Sequence, residues 1–464
     1  MTKTAELHVV ILAAGKSTRM KSQLSKVLHS IAGKSMLQHV LDTASALNPQ
    51  TISIVYGSNG SQLRTSVNAS DKHYWVEQKN PSGTGDAVKQ AYQSLQAVWK
   101  TADYVLIIPG DTPLINFSTL DKLWNQVLNT QADLALLTIV TEDCSGFGRV
   151  LRDEDKNILA IVEEKDATVE QKAIQEIFSG IMVARVDLLA KCLFELTNNN
   201  AQKEYYLTQI IELSQKQAKK IIGLSSEDIL DAGGINDRIQ LAQRERQWQI
   251  KNAEQLMKNG VTIVDPLRFD VRGNLEAASD VHIDINCIFE GEVFIDSNTT
   301  VGAHCILKNC RIGKNVIIQP YTMIDGAEIS DHAKVGPFTR IRPGTVLDAG
   351  VQVGNFVEIK KSYLGKNTKA NHLSYLGDAQ IGSEVNIGAG TITCNYDGVE
   401  KHTTHIKDKV FVGSNTSLVA PITLEKEATI GAGSTITHNA PENQLTLARS
   451  KQITLPGWRR KTKK

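Results

Sequence analysis

Between residues 283 and 436, apolar side chains return at every sixth position, a period that neither an α-helix nor a simple alternating strand can bury. The series runs through Ile283, Phe289, Ile295, Val301 and Leu307, then resumes after a five-residue step at Ile312, Ile318 and Ile324. It continues from Ile329 through Val335, Ile341, Leu347, Val353 and Ile359 to Leu364, Ala370, Leu376, Ile381 and Ile387. An interruption from Cys394 to Lys409 follows, and the pattern returns as Val412, Leu418, Leu424, Ile430 and Ile436. Three short strands per coil, each turning one aliphatic side chain inward, give a parallel β-helix whose coils stack about 4.8 Å apart. Glycine follows many of these residues (Gly302, Gly313, Gly336, Gly354, Gly382, Gly388, Gly413, Gly431). That placement predicts corners at which these glycines take a positive φ. Any one Ile or Val is ordinary core, and only the sustained period identifies the architecture.

The first half follows a different rule. Strand-like runs at His8–Leu12, Thr51–Val55, Tyr104–Ile108 and Leu134–Val140 alternate with helical stretches such as Ser35–Ala46. That order predicts an α/β domain over residues 1–235 with a Rossmann-like, mostly parallel sheet. Residues 236–260 are polar and lack proline, which predicts one long exposed linker helix. Residues 261–464 then form the repeat domain, ending in the basic tail WRRKTKK, whose plainest reading is a solubilising end. A chain of 464 residues is in any case too long for one ordinary core.

Bulk charge excludes little but directs attention to local sites. Lys and Arg total 51 against 50 Asp and Glu, so nothing favours nucleic acid or an anionic membrane as a partner. The six cysteines are scattered without a CxxC pair, which argues against a zinc site or disulfide framework and for a reducing, cytoplasmic setting. The apolar run near the N-terminus is short and flows into a glycine turn, unlike a signal peptide or spanning helix.

That turn, Leu12-Ala13-Ala14-Gly15-Lys16-Ser17-Thr18-Arg19-Met20, can bring backbone N–H groups to a triphosphate while Lys16 and Arg19 supply charge. Taken alone it fits a plain strand–turn–helix equally well. Lys26, Gln78, the Gly83-Thr84-Gly85 turn and Pro109-Gly110-Asp111 follow it. Asp111 ends an apolar strand, where open α/β sheets bind ligands and where a carboxylate suits a hard cation, although an acidic turn cap has the same signature.

In the repeat domain Arg342, Glu358, Lys360, His372, Tyr375, Asn386, Asn395, Tyr396 and Lys401 break an otherwise aliphatic and glycine-rich pattern. Acyl transfer to an amine needs a base and donors for a developing oxyanion, and this cluster has both types. Singly, His372 is a polar corner residue and Arg342 and Lys360 are solvated charges.

Jointly, the segments LAAGKSTRM, GTG at Gly83, GD at Gly110, SGFGRV at Ser145, IVEEKDAT at Ile161, NAQKEYYLTQII at Asn200 and GINDR at Gly234 resemble sugar-phosphate nucleotidyltransferases. With GPFTRIRPG, NFVEIKKS, NHLSYLGD and NIGAGTITCNYDG in the second half, the chain resembles the family of bifunctional N-acetylglucosamine-1-phosphate uridylyltransferases / glucosamine-1-phosphate N-acetyltransferases, over essentially its whole length. The resemblance implies a left-handed parallel β-helix of hexapeptide repeats, a homotrimer, and the synthesis of UDP-N-acetylglucosamine for cell-wall and lipopolysaccharide precursors. It further implies that Asp111 and Asn236 hold Mg²⁺ and that Leu12, Ala13, Ala14, Gly15, Lys16, Arg19 and Lys26 surround the UTP phosphates. Gln78, Gly83 and Thr84 would meet uracil or ribose, and Gly148 and Glu163 the sugar. In the second half it implies His372 as general base, with Glu358 orienting the site. Arg342, Lys360, Tyr375, Asn386 and Lys401 would hold glucosamine 1-phosphate, and Asn395, Tyr396, Ser414, Ala432 and Arg449 acetyl-CoA. Three positions depart from the family pattern: Ser17 stands for glycine, Ser25 for proline, and Phe178-Ser179-Gly180 for Asn-Thr-Gly. Three other readings stay open on sequence alone: retention of one activity only, a related nucleotidyltransferase for another sugar phosphate, and a rigid assembly surface without catalysis.

Overall fold

The computed structural model describes residues 5–460 apart from Lys16, Ser17, Asn59, Ala69, Asp71 and Ala232. The chain divides into two compact units, Met1–Trp248 and Gln249–Lys464.

In the first unit, strands β1 (Leu7–Ala13), β2 (Thr51–Tyr56), β3 (His73–Glu77), β4 (Tyr104–Pro109), β5 (Leu134–Val140), β6 (Glu176–Arg185) and β7 (Ile221–Ser226) form one sheet in the order β7-β5-β6-β4-β1-β2-β3. All neighbours are parallel except β6, which runs antiparallel to both β4 and β5. The strands are apolar on both faces because helices cover both sides. On one side α1 (Met36–Ala46) lays Leu37, Val40, Leu41 and Ala44 on the sheet, with the Ser35 hydroxyl capping its first turn through the Gln38 N–H. On the other side α2 (Thr84–Ser94) and α3 (Val186–Glu195) bury Ala87, Val88, Ala91, Leu189 and Cys192. Leu12 of β1 pairs with Pro109 of β4, so the loops after these central strands leave the sheet side by side at its carboxyl edge.

The second unit is a parallel β-helix. On one face Ile283, Val301, Ile318, Val335, Val353, Ala370, Ile387, Val412 and Ile430 lie in a single column of register partners. Two further faces stack in the same way, one through Ile324, Ile341, Ile359 and Leu376, the other through Ile329, Leu347, Leu364, Ile381, Ile406 and Leu424. The interruption is shorter than the sequence pattern suggests, because Thr404–Ile406 already pairs with Ala379–Ile381 and Ile422–Leu424.

Two expectations need correction. Of the eight glycines that follow inward residues, only Gly336 has a positive φ. The others are glycine for lack of space: a Cβ at Gly354 would lie 2.1 Å from the Asn371 carbonyl oxygen, and one at Gly413 2.5 Å from the Ala432 nitrogen. The left-handed residue of each corner comes two positions later, at His304, Asn315, Phe338, Phe356, Glu384, Gly390, Asn415 and Gly433. The second correction concerns the linker. The helix α4 (Arg238–Lys258) buries Gln249, Ala253 and Leu256, so its second half is not an exposed rod. The Gln249 amide donates to the Val271 carbonyl at 2.8 Å and accepts from the Val271 N–H at 2.7 Å, completing the ladder where the first coil has no coil before it.

That substitute for a strand partner generates a stability prediction. Gln249→Leu leaves both backbone groups of Val271 buried without these partners, and should destabilise the second unit by about 1–3 kcal/mol in chemical denaturation.

Candidate active sites

At the carboxyl edge of the first unit's sheet lies a cleft of about 640 Å³. Leu12, Ala13, Ala14, Gly15, Arg19, Lys26, Gln78, Gly83, Thr84, Asp111, Gly148 and Glu163 all line it. Lys16 and Ser17 lie outside the described residues. The cleft is organised around charge. Lys26 Nζ pairs with the Asp111 carboxylate and donates to Asn236 Oδ1 at 3.0 Å, and Arg19 Nη2 donates to the same oxygen at 2.8 Å. Two oxygen-bearing side chains far apart in sequence thus meet on one ammonium. Asn236 is held there by its Nδ2, which donates to the Gly234 carbonyl at 3.0 Å, and by its N–H, which donates to Gln240 Oε1 at 2.7 Å. Gly234 is the residue this approach requires, since a Cβ would stand 2.7 Å from Asp111 Oδ2.

The opposite wall is the Gly83-Thr84-Gly85 turn that starts α2. Gly83 has φ 111°, and a Cβ there would meet the Tyr205 carbonyl oxygen at 2.5 Å. The turn is tied to residues 205–207 by Gly85 N–H to Tyr205 O (2.8 Å), Tyr205 N–H to Ser82 O (2.8 Å) and Leu207 N–H to Thr84 Oγ1 (3.1 Å). Gln78 is buried against it, its Nε2 donating to Gly83 O at 3.2 Å and to Asp86 Oδ2 at 2.6 Å. Beyond lies Glu163, half-buried, accepting from the Thr208 hydroxyl at 3.0 Å. Burial pushes its carboxyl above the ordinary value, against the Thr208 hydrogen bond and with repulsion from Asp166 and Glu204. Gly148 packs closely on Ile161, where a Cβ would meet Cγ2 at 2.6 Å, and the same Cβ would lie 3.7 Å from Glu163 Oε2.

At the position that departs from the family pattern, Phe178 joins the core and also lines the cleft. Ser179 turns its hydroxyl into the sheet, donating to Leu137 O at 2.8 Å and accepting from the Ile181 N–H. Sequence reasoning named neither Asp86 nor Thr208. Thr208 stood within a quoted motif, but its partner Glu163 is distant in sequence, and only the fold joins them.

In the second unit the candidate residues occupy one corner and the adjoining face. His372 ends the strand Lys369–His372 and is exposed. Leu373 then turns with φ 50°, and Tyr375 opens the next face. On that face Arg340, Glu358 and Tyr375 are successive rungs. Arg342 Nη1 donates to Glu358 Oε1 at 2.8 Å. Lys401, on the loop that breaks the repeat, is pulled below the usual lysine value by Lys360 beside it. Asn386 lies one coil above Lys369. Asn395 is buried, its Nδ2 donating to Asp378, while Tyr396 is exposed and bridges to Lys401. Asn355 is the rung below His372, and Ala389, Ser414 and Ala432 hold the same corner position on later coils, where the Ala389 and Ser414 carbonyls accept from the Asn415 and Gly433 N–H groups of the coil above. Arg449 Nη1 donates to the Ala432 carbonyl at 2.7 Å, completing a ridge that climbs from His372. A larger groove, about 710 Å³, runs beside Leu256, Phe294 and Arg311 and holds none of the candidate residues.

Comparison with known proteins covers both units. Residues 9–167 match the MobA-like NTP transferase domain, 271–354 the GMPPB C-terminal domain, and 404–438 the hexapeptide repeat of succinyl-transferase. Curated relatives span the whole chain. "Bifunctional protein GlmU" of Idiomarina loihiensis is 48% identical over 455 residues, covering 98% of both chains. Proteins of the same name from Chromobacterium violaceum and Nitrosospira multiformis are each 47% identical, covering 99% of both chains.

The state of Glu163 fixes a pH dependence. A carboxyl raised in the folded state lowers stability above its folded value, and this penalty disappears below the unfolded value of 4.5. Glu163→Gln should therefore raise the first unit's thermal midpoint at pH 8. The gain should vanish as the pH falls through the glutamate range; calorimetry from pH 4.5 to 8 checks it.

Proposed function

The chain belongs to the family of bifunctional GlmU proteins, and from that premise we propose how its two units divide the work. It is an N-acetylglucosamine-1-phosphate uridylyltransferase and glucosamine-1-phosphate N-acetyltransferase, making UDP-N-acetylglucosamine from glucosamine 1-phosphate, acetyl-CoA and UTP. The observation that carries the residue assignments is the convergence of Asp111 and Asn236 on Lys26, with Arg19 on the same Asn236 oxygen, at the wall of the first unit's cleft.

In the first unit a phosphate oxygen of N-acetylglucosamine 1-phosphate attacks the α-phosphorus of UTP, and the α–β anhydride bond breaks to release pyrophosphate. Arg19 and Lys26 offset the charge of the two polyanions, the Ala13–Gly15 backbone approaches the phosphates, and Gln78, Gly83 and Thr84 seat the nucleoside. Gly148 and Glu163 hold the sugar. Asp111 and Asn236 are the residues that would hold Mg²⁺. They fit that ion: their oxygens already converge on a positive centre, the Lys26 ammonium, and are of the hard type it selects. When bound, the ion supplies charge neutralisation at the reacting phosphate.

In the second unit the sugar amine attacks the thioester carbonyl, the C–N bond forms as the C–S bond breaks, and His372 takes the proton the amine loses. Arg342, Lys360 and Lys401 bring positive charge to the sugar phosphate, with Tyr375 and Asn386 beside them and Arg342 held by Glu358. The ridge of Ser414, Ala432 and Arg449, with Asn395 and Tyr396, carries acetyl-CoA. Beside His372 runs an exposed column of stacked side chains, with ring centroids 4.8 Å apart between His304 and Tyr321, 5.0 Å between Tyr321 and Phe338 and 5.5 Å between Phe338 and Phe356. Exposed apolar surface of this extent supports a homotrimer in which neighbouring prisms cover it. Among the described residues no helix is long and apolar enough to cross a membrane, and the setting we propose is the cytoplasm.

The division of labour is testable with separate assays on the full chain. Asp111→Ala should lower pyrophosphate release by about 100-fold or more while sparing acetyl transfer. His372→Ala should lower acetyl transfer by about 10²–10⁴-fold and leave uridylyl transfer intact. Loss of both activities in either variant would refute the assignment, and a monomeric mass by light scattering would refute the trimer.

A further inference from the structure

The nucleoside wall of the cleft contains an amide whose orientation is decided by its neighbours. Gln78 follows β3, its N–H donates to the Tyr56 carbonyl at 2.8 Å, and its side chain is only 3% exposed. Nε2 faces two acceptors, the Gly83 carbonyl at 3.2 Å and Asp86 Oδ2 at 2.6 Å. The other oxygen of Asp86 accepts from Gln90 Nε2 at 3.4 Å, so both carboxylate oxygens are engaged by amides. Turning the Gln78 amide over would set Oε1 against a carboxylate and a carbonyl, neither of which can donate to it. The amide is therefore locked with Nε2 inward. Its Oε1 accepts from no described residue, and Gln78 lines the cleft.

An unpaired acceptor at the cleft wall in place of an ambivalent amide is a choice about nucleobases. Uracil carries an N–H at N3 and donates there; cytosine has a bare N3 and accepts. We propose that Asp86 is a specificity-determining positioning residue, which holds the Gln78 amide so that only an acceptor meets the base and thereby selects UTP over CTP. The inference rests on the UTP reading of this cleft and assigns Asp86 no contact with substrate. Cytosine would bring two acceptors together in a partly desolvated wall, the kind of mismatch that discriminates more strongly than a missing methylene.

The test compares kcat/KM for UTP and CTP, with N-acetylglucosamine 1-phosphate, in the parent and in Asp86→Asn, Asp86→Ala and Asp86→Glu. Asn can donate as well as accept, and Ala removes the carboxylate, so in both only the Gly83 carbonyl, at 3.2 Å, still opposes turning of the Gln78 amide. The UTP/CTP ratio should fall about tenfold in each, mainly through KM. Asp86→Glu, which keeps an acceptor, should restore most of it. A proportional loss with both nucleotides would reduce Asp86 to a structural role and overturn the proposal, as would an unchanged ratio. A parent chain that turned over neither nucleotide would count against the uridylyltransferase reading instead. Titration calorimetry with UTP and CTP then decides separately, because equal affinities in the parent, or an affinity ratio that Asp86→Asn leaves unmoved, overturn the inference.

Discussion

Coil-on-coil register in the second unit determines where nearly every other residue of that unit must go. Once Ile283, Val301, Ile318 and their successors share one inward column, each position of the repeat becomes a column of its own. One column must turn left-handed, and its backbone geometry is set by closure of the coil rather than by the residue that occupies it. Tyr321, Phe338, Phe356 and Leu373 all sit there with φ between 50° and 61°. Such a conformation costs a non-glycine residue about 1–3 kcal/mol. Stacking of the rings returns about 0.5–1.5 kcal/mol per pair, which does not cover that cost. Hydrophobic burial in the inward columns must hold these residues in place. The same register puts His372 on one ridge with Ser414 and Ala432, about 10 Å and 14 Å away by coil spacing.

In the first unit the corresponding constraint is electrostatic. Asp111 and Lys26 are both largely buried, with side-chain exposures of 18% and 15%, and ionised groups so placed must be compensated. Lys26 compensates Asp111 and Asn236 at once, while Arg19 shares Asn236. The pairing is exchangeable. In the proposed reaction a triphosphate entering the cleft would compete for the two cations, and whatever charge it drew away would leave Asp111 and Asn236 with unmet acceptor capacity.

Both architectures were legible in the sequence because each rests on long-range periodicity or on strands that are apolar throughout. The period of six located the inward residues, and the runs at His8, Thr51, Tyr104 and Leu134 located the strands of the sheet. What failed was the reason for individual residues. Glycine after an inward residue reads as a turn signal, yet the constraint at Gly354 and Gly413 is the next coil's backbone, which no local pattern reveals. Gln249 reads as the polar face of an exposed helix because an amide that completes a β-ladder has the composition of a surface residue. In the nucleotide cleft, motifs marked Gln78 and Gly83, but the pairing with Asp86 depends on the angle at which α2 leaves the turn.

Each site also holds a group that its surroundings oppose. Glu163 is raised by burial and by Asp166 and Glu204, with one hydroxyl against them. Lys401 is lowered by Lys360 beside it. Neither arrangement favours the protein alone, and a folded chain keeps such conflicts where a ligand resolves them. The two conflicts have opposite signs and match different partners. A half-buried carboxyl at a pocket wall suits the hydroxyl and amide donors of a neutral sugar ring, whereas adjoining ammonium groups suit a phosphate dianion that each lysine can share. In the proposed reading Lys26 and Arg19 stand at the phosphate end of the N-terminal cleft, which then needs no second cationic pair near Glu163. By the same proposed reading the β-helix face draws its affinity for a sugar phosphate from Lys360, Lys401 and Arg342 together.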